Sequence, residues 1–149
     1  MTGPTSVEPQ PRIDTLVVDA VTGAQRRRTE YTGTAWYGTR PELGAFVLVR
    51  SGAARIDSAF YLPDSLPYRA EMAGSAVIAV SIAVQSAAQE SHQFVDRWVT
   101  LEPDPRNPAV CWLQLRLVAA SWTPVAIGYR IDVLVPPEAV LLSGAPTSG

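Results

Sequence analysis

Two adjoining runs of alternating side chains constrain this chain more than any other stretch. Within residues 109–136, apolar residues recur at every second position, first from Cys111 to Ala119 and then from Val125 to Val135. A period of two is the spacing at which side chains share one face of a β-strand. The stretch therefore predicts two strands, and their closeness along the chain predicts that they pair as an antiparallel hairpin.

The register of this predicted hairpin follows from its charges. The two apolar faces coincide only when residues directly opposite each other are both odd-numbered or both even-numbered. One such register sets Arg116 against Arg130, and like charges directly opposed destabilise a strand pair. A shift by one step sets Arg116 against Asp132 instead, with a loop over residues 122–126. We predict this second register.

A second hairpin is predicted near the N-terminus. Residues 13–21 alternate, residues 22–24 read Thr-Gly-Ala, and residues 25–36 form a polar return strand. A glycine between two such runs is typical of a tight turn. We predict that the polar return strand is exposed or lies at a sheet edge, where charged side chains resist unwanted pairing. Alternation divides the arginines at 26–28 between two faces, which argues against a phosphate or nucleic-acid site there.

Residues 75–86 are the most apolar of the remaining segments. One face carries Ile and Val, the other carries small residues, and Gly74 precedes the run. The β-branched content favours a central strand over a helix. We expect something to cover the small face, either a loop of this chain or a second subunit.

Further strands are predicted over residues 45–50, 55–62 and 94–101, and a turn with three prolines follows at residues 102–108. For residues 68–73, one helical turn and an irregular crossover are both open. Strands at this spacing are typical of sandwiches and barrels. The predicted fold is all-β, an antiparallel β-sandwich of about eight strands in a jelly-roll or immunoglobulin-like arrangement, with minimal helix.

Composition predicts one domain between two flexible ends. A chain of 149 residues, 47% of them hydrophobic, is the size of a single domain with one core. Residues 1–12 hold three prolines, and residues 142–149 read LSGAPTSG. We predict a flexible proline-rich arm over 1–12, a β-sandwich domain over 13–141 and a flexible tail over 142–149. No signal peptide or membrane span is visible, so a cytoplasmic or virion location is expected.

The charges give no footprint for a polyanion. The formal net charge is −2, and the twelve basic residues, all arginine, are spread along the chain. A nucleic-acid-binding domain concentrates positive charge on one face. Neither nucleic acid nor a membrane is therefore a predicted partner.

Residues suited to catalysis or metal binding are few. The single histidine, His92, weakens any triad or histidine-based zinc site, and Cys111 on an apolar strand face is expected to be a small buried side chain. Asp104 and Asn107 offer two oxygens where calcium needs six to eight. We predict no enzyme, no cofactor and no metal, and a calcium site formed from separate loops stays open as an alternative.

The strongest candidate for binding is the even-numbered face of the C-terminal strands, which mixes aromatic, charged and apolar side chains. Trp, Tyr and Arg dominate the binding energy of protein interfaces, although Trp and Tyr also commonly cover the rim of a core. The predicted interaction surface comprises Trp112, Gln114, Arg116, Arg130, Asp132, Leu134 and Trp122.

These observations predict a non-enzymatic structural or protein-interaction subunit of a larger assembly, for example a phage virion component. Its partners are then copies of itself or neighbouring proteins of the assembly. The alternative is a carbohydrate- or small-ligand-binding module that uses Trp112, Trp122, Trp36 or Tyr37 as a stacking surface.

Overall fold

Ten strands form two antiparallel sheets in the computed structural model, which describes residues 4, 6–37, 46–48, 54–84, 93–121 and 125–141. Two short 3-10 helices, Ala70–Ser75 and Pro137–Ala139, accompany them. The predicted all-β sandwich is confirmed. The strands are β1 (Ser6–Pro9), β2 (Ile13–Val18), β3 (Gln25–Tyr37), β4 (Phe46–Leu48), β5 (Ala54–Tyr61), β6 (Tyr68–Arg69), β7 (Val77–Val84), β8 (Gln93–Pro103), β9 (Val110–Ser121) and β10 (Val125–Val135).

The ten strands occupy eight positions. In the first sheet, β1 and β2 pair along one edge of β3, β10 pairs along the other edge, and β7 follows β10. In the second sheet, β5 and β6 share one edge of β9, β8 takes the other edge, and β4 lies outside β5. The expectation of about eight strands therefore agrees with the number of positions, and two of these positions are each divided between two strands.

The predicted C-terminal hairpin is wrong. β9 and β10 each form a strand, but β9 lies in the second sheet and β10 in the first, so they share no ladder of hydrogen bonds. Arg116 is opposite Ala59 and Trp98, and Asp132 is opposite Glu30 and Ala79, rather than each other. The two odd-numbered apolar faces instead meet across the core, each contributed by an interior strand of its own sheet, as the inner faces of a sandwich do.

The places of β3 and β7 are the reverse of the prediction. β3, expected to be exposed or at an edge because it is polar, is central: β10 pairs with it over eleven residues, and Tyr31 and Thr29 are buried. β7, expected to be central, pairs with β10 alone among the described strands. The even-numbered face of β7 packs on the core, while the small face, with Ala79, Ser81 and Ala83, stays exposed.

Part of the predicted flexible arm is a strand. Ser6–Pro9, within the arm placed at 1–12, pairs with β3, and Val7 packs against the core. The arm is therefore fixed to the sheet at these residues. The predicted tail, 142–149, lies outside the described residues.

The core lies between the sheets and is built by the alternation that the sequence displays. Every odd residue of β9 from Cys111 to Leu117 and of β10 from Ile127 to Val135 is buried. Burial raises the pKa of the Cys111 thiol, as does the nearby charge of Glu102, which favours the neutral form of the small buried side chain that the sequence predicts. The described part of the chain contains no helix long and apolar enough to cross a membrane.

Candidate functional site

The predicted interaction surface is divided between two opposite faces. Trp112, Gln114 and Arg116 lie on the outer face of the second sheet, because the odd-numbered residues of β9 fill the core. By the same argument, Arg130, Asp132 and Leu134 lie on the outer face of the first sheet. The two groups therefore cannot form one contact surface. The remaining predicted residue, Trp122, lies outside the described residues, as does His92.

On the second sheet, Trp112 closes the turn between β8 and β9. Its indole N–H donates to Oδ2 of Asp104 at 2.7 Å, while Oδ1 accepts from the backbone N–H of Arg106 at 2.7 Å. These hydrogen bonds, led by the one from Trp112, hold the pKa of Asp104 below its usual value. Both carboxylate oxygens of Asp104 therefore accept hydrogen bonds that stabilise the turn. The described residues contain no cluster of metal-ligating side chains.

Arg116 lies on the same face as Trp112. Its guanidinium carbon stands 5.1 Å from the centroid of the Trp98 ring, within the range of a cation–π interaction. Trp98 is directly opposite Arg116 in the ladder between β8 and β9. This side chain is therefore positioned by a neighbouring strand.

On the first sheet, four charged side chains form a closed cluster, named here the ion-pair cluster: Arg28, Glu30, Arg130 and Asp132. Nη2 of Arg28 lies 3.2 Å from Oδ1 of Asp132, and Nη2 of Arg130 lies 3.2 Å from Oε1 of Glu30. Two longer contacts, 3.9 Å from Arg28 to Glu30 and 3.7 Å from Arg130 to Asp132, complete it. The strand register places the carboxylates of Glu30 and Asp132 directly opposite each other, and the two arginines offset the repulsion between them.

A shallow depression of about 430 Å³ lies on the outer face of the first sheet, beside the ion-pair cluster. Its lining includes Thr32, Ser81 and Gln10, whose side chains donate and accept hydrogen bonds, and Arg130, whose guanidinium only donates them. Trp36, four residues beyond Thr32 on the same face of β3, is 44% exposed and donates its indole N–H to Glu8. Polar groups and an aromatic ring therefore occur together on this face.

The hairpin of β2 and β3 exposes apolar side chains that the sequence analysis did not single out. Leu16 and Val18 are opposite Arg27 and Gln25, and Asp14 is opposite the buried Thr29, so all three β2 residues are on the core-facing side of the sheet. Leu16 and Val18 are nevertheless each 63% exposed, and Val21 in the turn is 92% exposed. We name Leu16, Val18 and Val21 the hairpin patch. The sequence contained a signal for this exposure, because both Leu16 and Val18 have polar ladder partners, which is not typical of core residues.

The base of this hairpin is fixed by polar contacts. Oδ1 of Asp14 accepts from the Thr29 hydroxyl at 2.6 Å and from Nε of Arg27 at 3.2 Å. Burial raises the pKa of Asp14, but these hydrogen bonds and the charges of Arg27 and Arg12 lower it by more, so it lies below the usual value. At the tip, Gly23 has φ 73°, and Oδ1 of Asp19 accepts from the backbone N–H of Val21 at 2.8 Å. Hydrogen bonds at its base and at its tip therefore hold the hairpin that carries the hairpin patch in a defined conformation.

Three buried tyrosines contribute to the space between the sheets, and two of them, Tyr31 and Tyr68, contact each other. The hydroxyls of Tyr31 in β3 and Tyr68 in β6 are 2.7 Å apart, and Tyr31 also accepts from the backbone N–H of Leu66 at 3.1 Å. Burial raises the pKa of both phenols, which keeps them neutral. Tyr129 lies over Gly33, and neither its hydroxyl nor the buried carboxylate oxygens of Asp64 have a hydrogen-bond partner among the described residues.

The hydroxyl contact between Tyr31 and Tyr68 links β3 of the first sheet to β6 of the second. This link between the sheets stabilises the sandwich. Burial raises the pKa of Asp64 and of Tyr129, and the carboxylate of Asp64 also raises that of Tyr129. Asp64 is held nearby, since its backbone oxygen accepts from Nη1 of Arg12 at 3.0 Å.

Comparison of the chain with protein families, with curated proteins and with solved structures found no match.

Proposed function

We propose that this protein is a non-enzymatic structural or protein-interaction subunit of a larger assembly, a phage virion component being one example. The observation that supports the proposal is the hairpin patch, in which Leu16 and Val18 lie on the core-facing side of the sheet but are each 63% exposed. Contiguous exposed apolar residues rimmed by polar ones are typical of protein contact sites.

The energetics favour covering this patch. Fully burying a leucine or valine side chain contributes about 1.5–3 kcal/mol, so covering Leu16, Val18 and Val21 offers a substantial driving force for association. Arg27 and Asp14, paired at 3.2 Å beside the patch, supply a polar rim. The occupant that fits is an apolar surface of another protein chain in the assembly.

The proposal is tested by size-exclusion chromatography with light scattering on the full chain, from about 1 to 100 μM, the range in which weak interfaces associate. We expect a mass above the 16.0 kDa of one chain at the higher concentrations. The double variant Leu16→Thr/Val18→Thr should shift this mass toward the monomer. A strictly monomeric wild-type protein counts against the proposal.

A matched control lies on the same strand. Ile13 is 57% exposed but faces the other side of β2, opposite Glu30. Ile13→Thr should therefore leave the measured mass unchanged. Circular dichroism of all three proteins checks that threonine, a good strand former, has preserved the fold.

A second candidate is the carbohydrate- or small-ligand-binding module, favoured by the depression near Trp36. Sugars bind where an aromatic ring offers a stacking face and nearby side chains offer hydrogen bonds. Titration with a panel of mono- and oligosaccharides should change tryptophan fluorescence, and Trp36→Ala should remove the change. No response to any sugar eliminates this candidate.

A further inference from the structure

We propose that β7 pairs with β7 of a second copy of this chain, through the edge along which no described strand pairs. The pairing is antiparallel about a twofold axis and joins the two first sheets into one continuous sheet. This inference rests on the proposed function, because it names the partner at a second contact surface of the assembly subunit.

The edge of β7 is eight residues long and unpaired among the described strands. Residues 77–84 pair with β10 along one side, and no described strand pairs along the other. An unpaired strand edge presents a row of backbone N–H and C=O groups that can accept another strand. On the outer face, Val77 is 61% exposed, and Ala79, Ser81 and Ala83 are exposed as well.

Other edges of the sandwich carry the features that prevent such pairing. The edge that β1 and β2 form is interrupted near Pro11 and carries Arg12 and Asp14. The edge at β8 has a bulge between Phe94 and Asp96 and ends at a proline. β4 is three residues long. Prolines, charges, bulges and short strands are the devices by which proteins block strand addition.

β7 has none of these devices. Its sequence, VIAVSIAV, contains no charged residue and no proline, and its pairing with β10 is regular over eight residues. A strand of this composition at an open edge is an aggregation hazard unless a partner covers it. A defined partner therefore explains why β7 itself carries none of these devices.

The strand is complementary to itself. Residues opposite each other across a strand pair must face the same side, so the twofold axis passes through a residue and not between two. With the axis at Val80, Ile78 is opposite Ile82 of the second copy on the core-facing side. On the outer side, Ala79 is opposite Ser81 of the second copy. Between residues 78 and 82, large side chains thus meet large ones and small side chains meet small ones, and no like charges are opposed anywhere along the strand.

Two double variants test this register. In Ala79→Lys/Ser81→Lys, lysines of the two copies are directly opposed, which should weaken dimerisation roughly tenfold or more. In Ala79→Lys/Ser81→Glu, each lysine is opposite a glutamate, so the dimer should persist. Within one chain, position 79 is beside Asp132 and position 81 is beside Arg130, so the second variant has favourable partners in the monomer too.

Light scattering over the same concentration series gives the result. We expect a wild-type particle that contains the β7 dimer, loss of that dimer in the double-lysine variant, and retention in the lysine/glutamate variant. Self-association that the double-lysine variant leaves intact but Leu16→Thr/Val18→Thr removes overturns the β7 pairing and leaves the proposed function standing. The reverse pattern supports the β7 pairing and removes the hairpin patch as its basis. A monomeric wild type overturns both.

Discussion

The contact between Gly33 and Tyr129 shows how one residue can decide the packing of a central strand. The tyrosine ring lies over the glycine, so a Cβ at position 33 would meet the Tyr129 hydroxyl, stand 2.6 Å from Cζ of the ring and stand 2.8 Å from the backbone oxygen of Glu8. Glycine in a strand often marks such a close approach. At position 33, the Tyr129 ring occupies the space that a side chain of any residue other than glycine would need.

Gly33→Ala should therefore destabilise the protein by about 1–3 kcal/mol, the usual cost of overpacking. Urea unfolding followed by tryptophan fluorescence measures the change. Gly74→Ala is the control, since a Cβ at that position has no neighbour within 4 Å. Equal unfolding midpoints for the two variants would show that Tyr129 can move aside at no cost.

Two carboxyl groups should give opposite pH dependence. The pKa of Asp14 lies below its usual 3.8 in the folded state, so this group stabilises the fold above pH 4, and the contribution is lost as pH falls through the folded-state value. The pKa of Asp64 lies above 3.8, chiefly because of burial, so its ionisation destabilises the fold as pH rises through the window above 3.8.

We expect Asp14→Asn to be less stable than the wild type at pH 7 and Asp64→Asn to be more stable. The Asp64→Asn difference should shrink as pH falls below the raised pKa of Asp64, and the Asp14→Asn difference should shrink as pH falls below 3.8 and through the lowered pKa of folded Asp14. Thermal unfolding at pH 3, 5 and 7 measures them. A loss of stability in Asp64→Asn at pH 7 would contradict the assignment of a buried, unpartnered carboxylate.

At the scale of strands, the ion-pair cluster holds β3 against β10. Arg130→Glu would place a third carboxylate beside Glu30 and Asp132 and should destabilise the fold by about 1 kcal/mol, because like charges on adjacent strands repel. The loss should be smaller in 0.5 M NaCl, since salt screens exposed charges. Urea midpoints at low and high salt measure it, and a loss that salt does not reduce would have another cause.

The alternation in the sequence predicted the strands and their faces but not their neighbours. The odd-numbered residues from Cys111 to Leu117 and from Ile127 to Val135 are buried as expected, because side-chain period alone determines the face. Pairing is determined by which edge meets which, and Glu30, about 100 residues from Arg130, could not be found as its partner from local spacing. The polar β3 was placed at an edge and the apolar β7 in the centre for the same reason.

The candidate site was predicted only in part. Arg130 and Asp132 were singled out, but as one surface with Trp112 and Arg116, which lie on the opposite face. That grouping followed from the wrong hairpin, since paired strands would have brought the four residues together. The hairpin patch was missed because Leu16 and Val18 alternate as core residues do, and only their ladder partners show otherwise.

At the scale of the whole molecule, the two proposed contact surfaces lie on different strands of the first sheet. A subunit with two independent surfaces can build an assembly larger than a closed dimer. Hydrogen exchange at about 1 and 100 μM should show amides of β7, of β2 and of the turn at residues 19–24 becoming protected at the higher concentration. Central strands β3 and β10 should be equally protected at both, since their hydrogen bonds lie within one chain. Uniform protection at both concentrations would argue against association.

The central positions of β9 and β10 have a consequence during synthesis on the ribosome. Until residues 110–135 have emerged, β5 and β8 lack the strand that both pair with, and β3 and β7 lack theirs. Domains dominated by pairings between distant residues fold slowly, and unpaired apolar strands aggregate. The nascent chain therefore carries β3, β5, β7 and β8 each without one of its partner strands until β9 and β10 emerge, and we expect its yield in a cell to depend on chaperones that bind such strands.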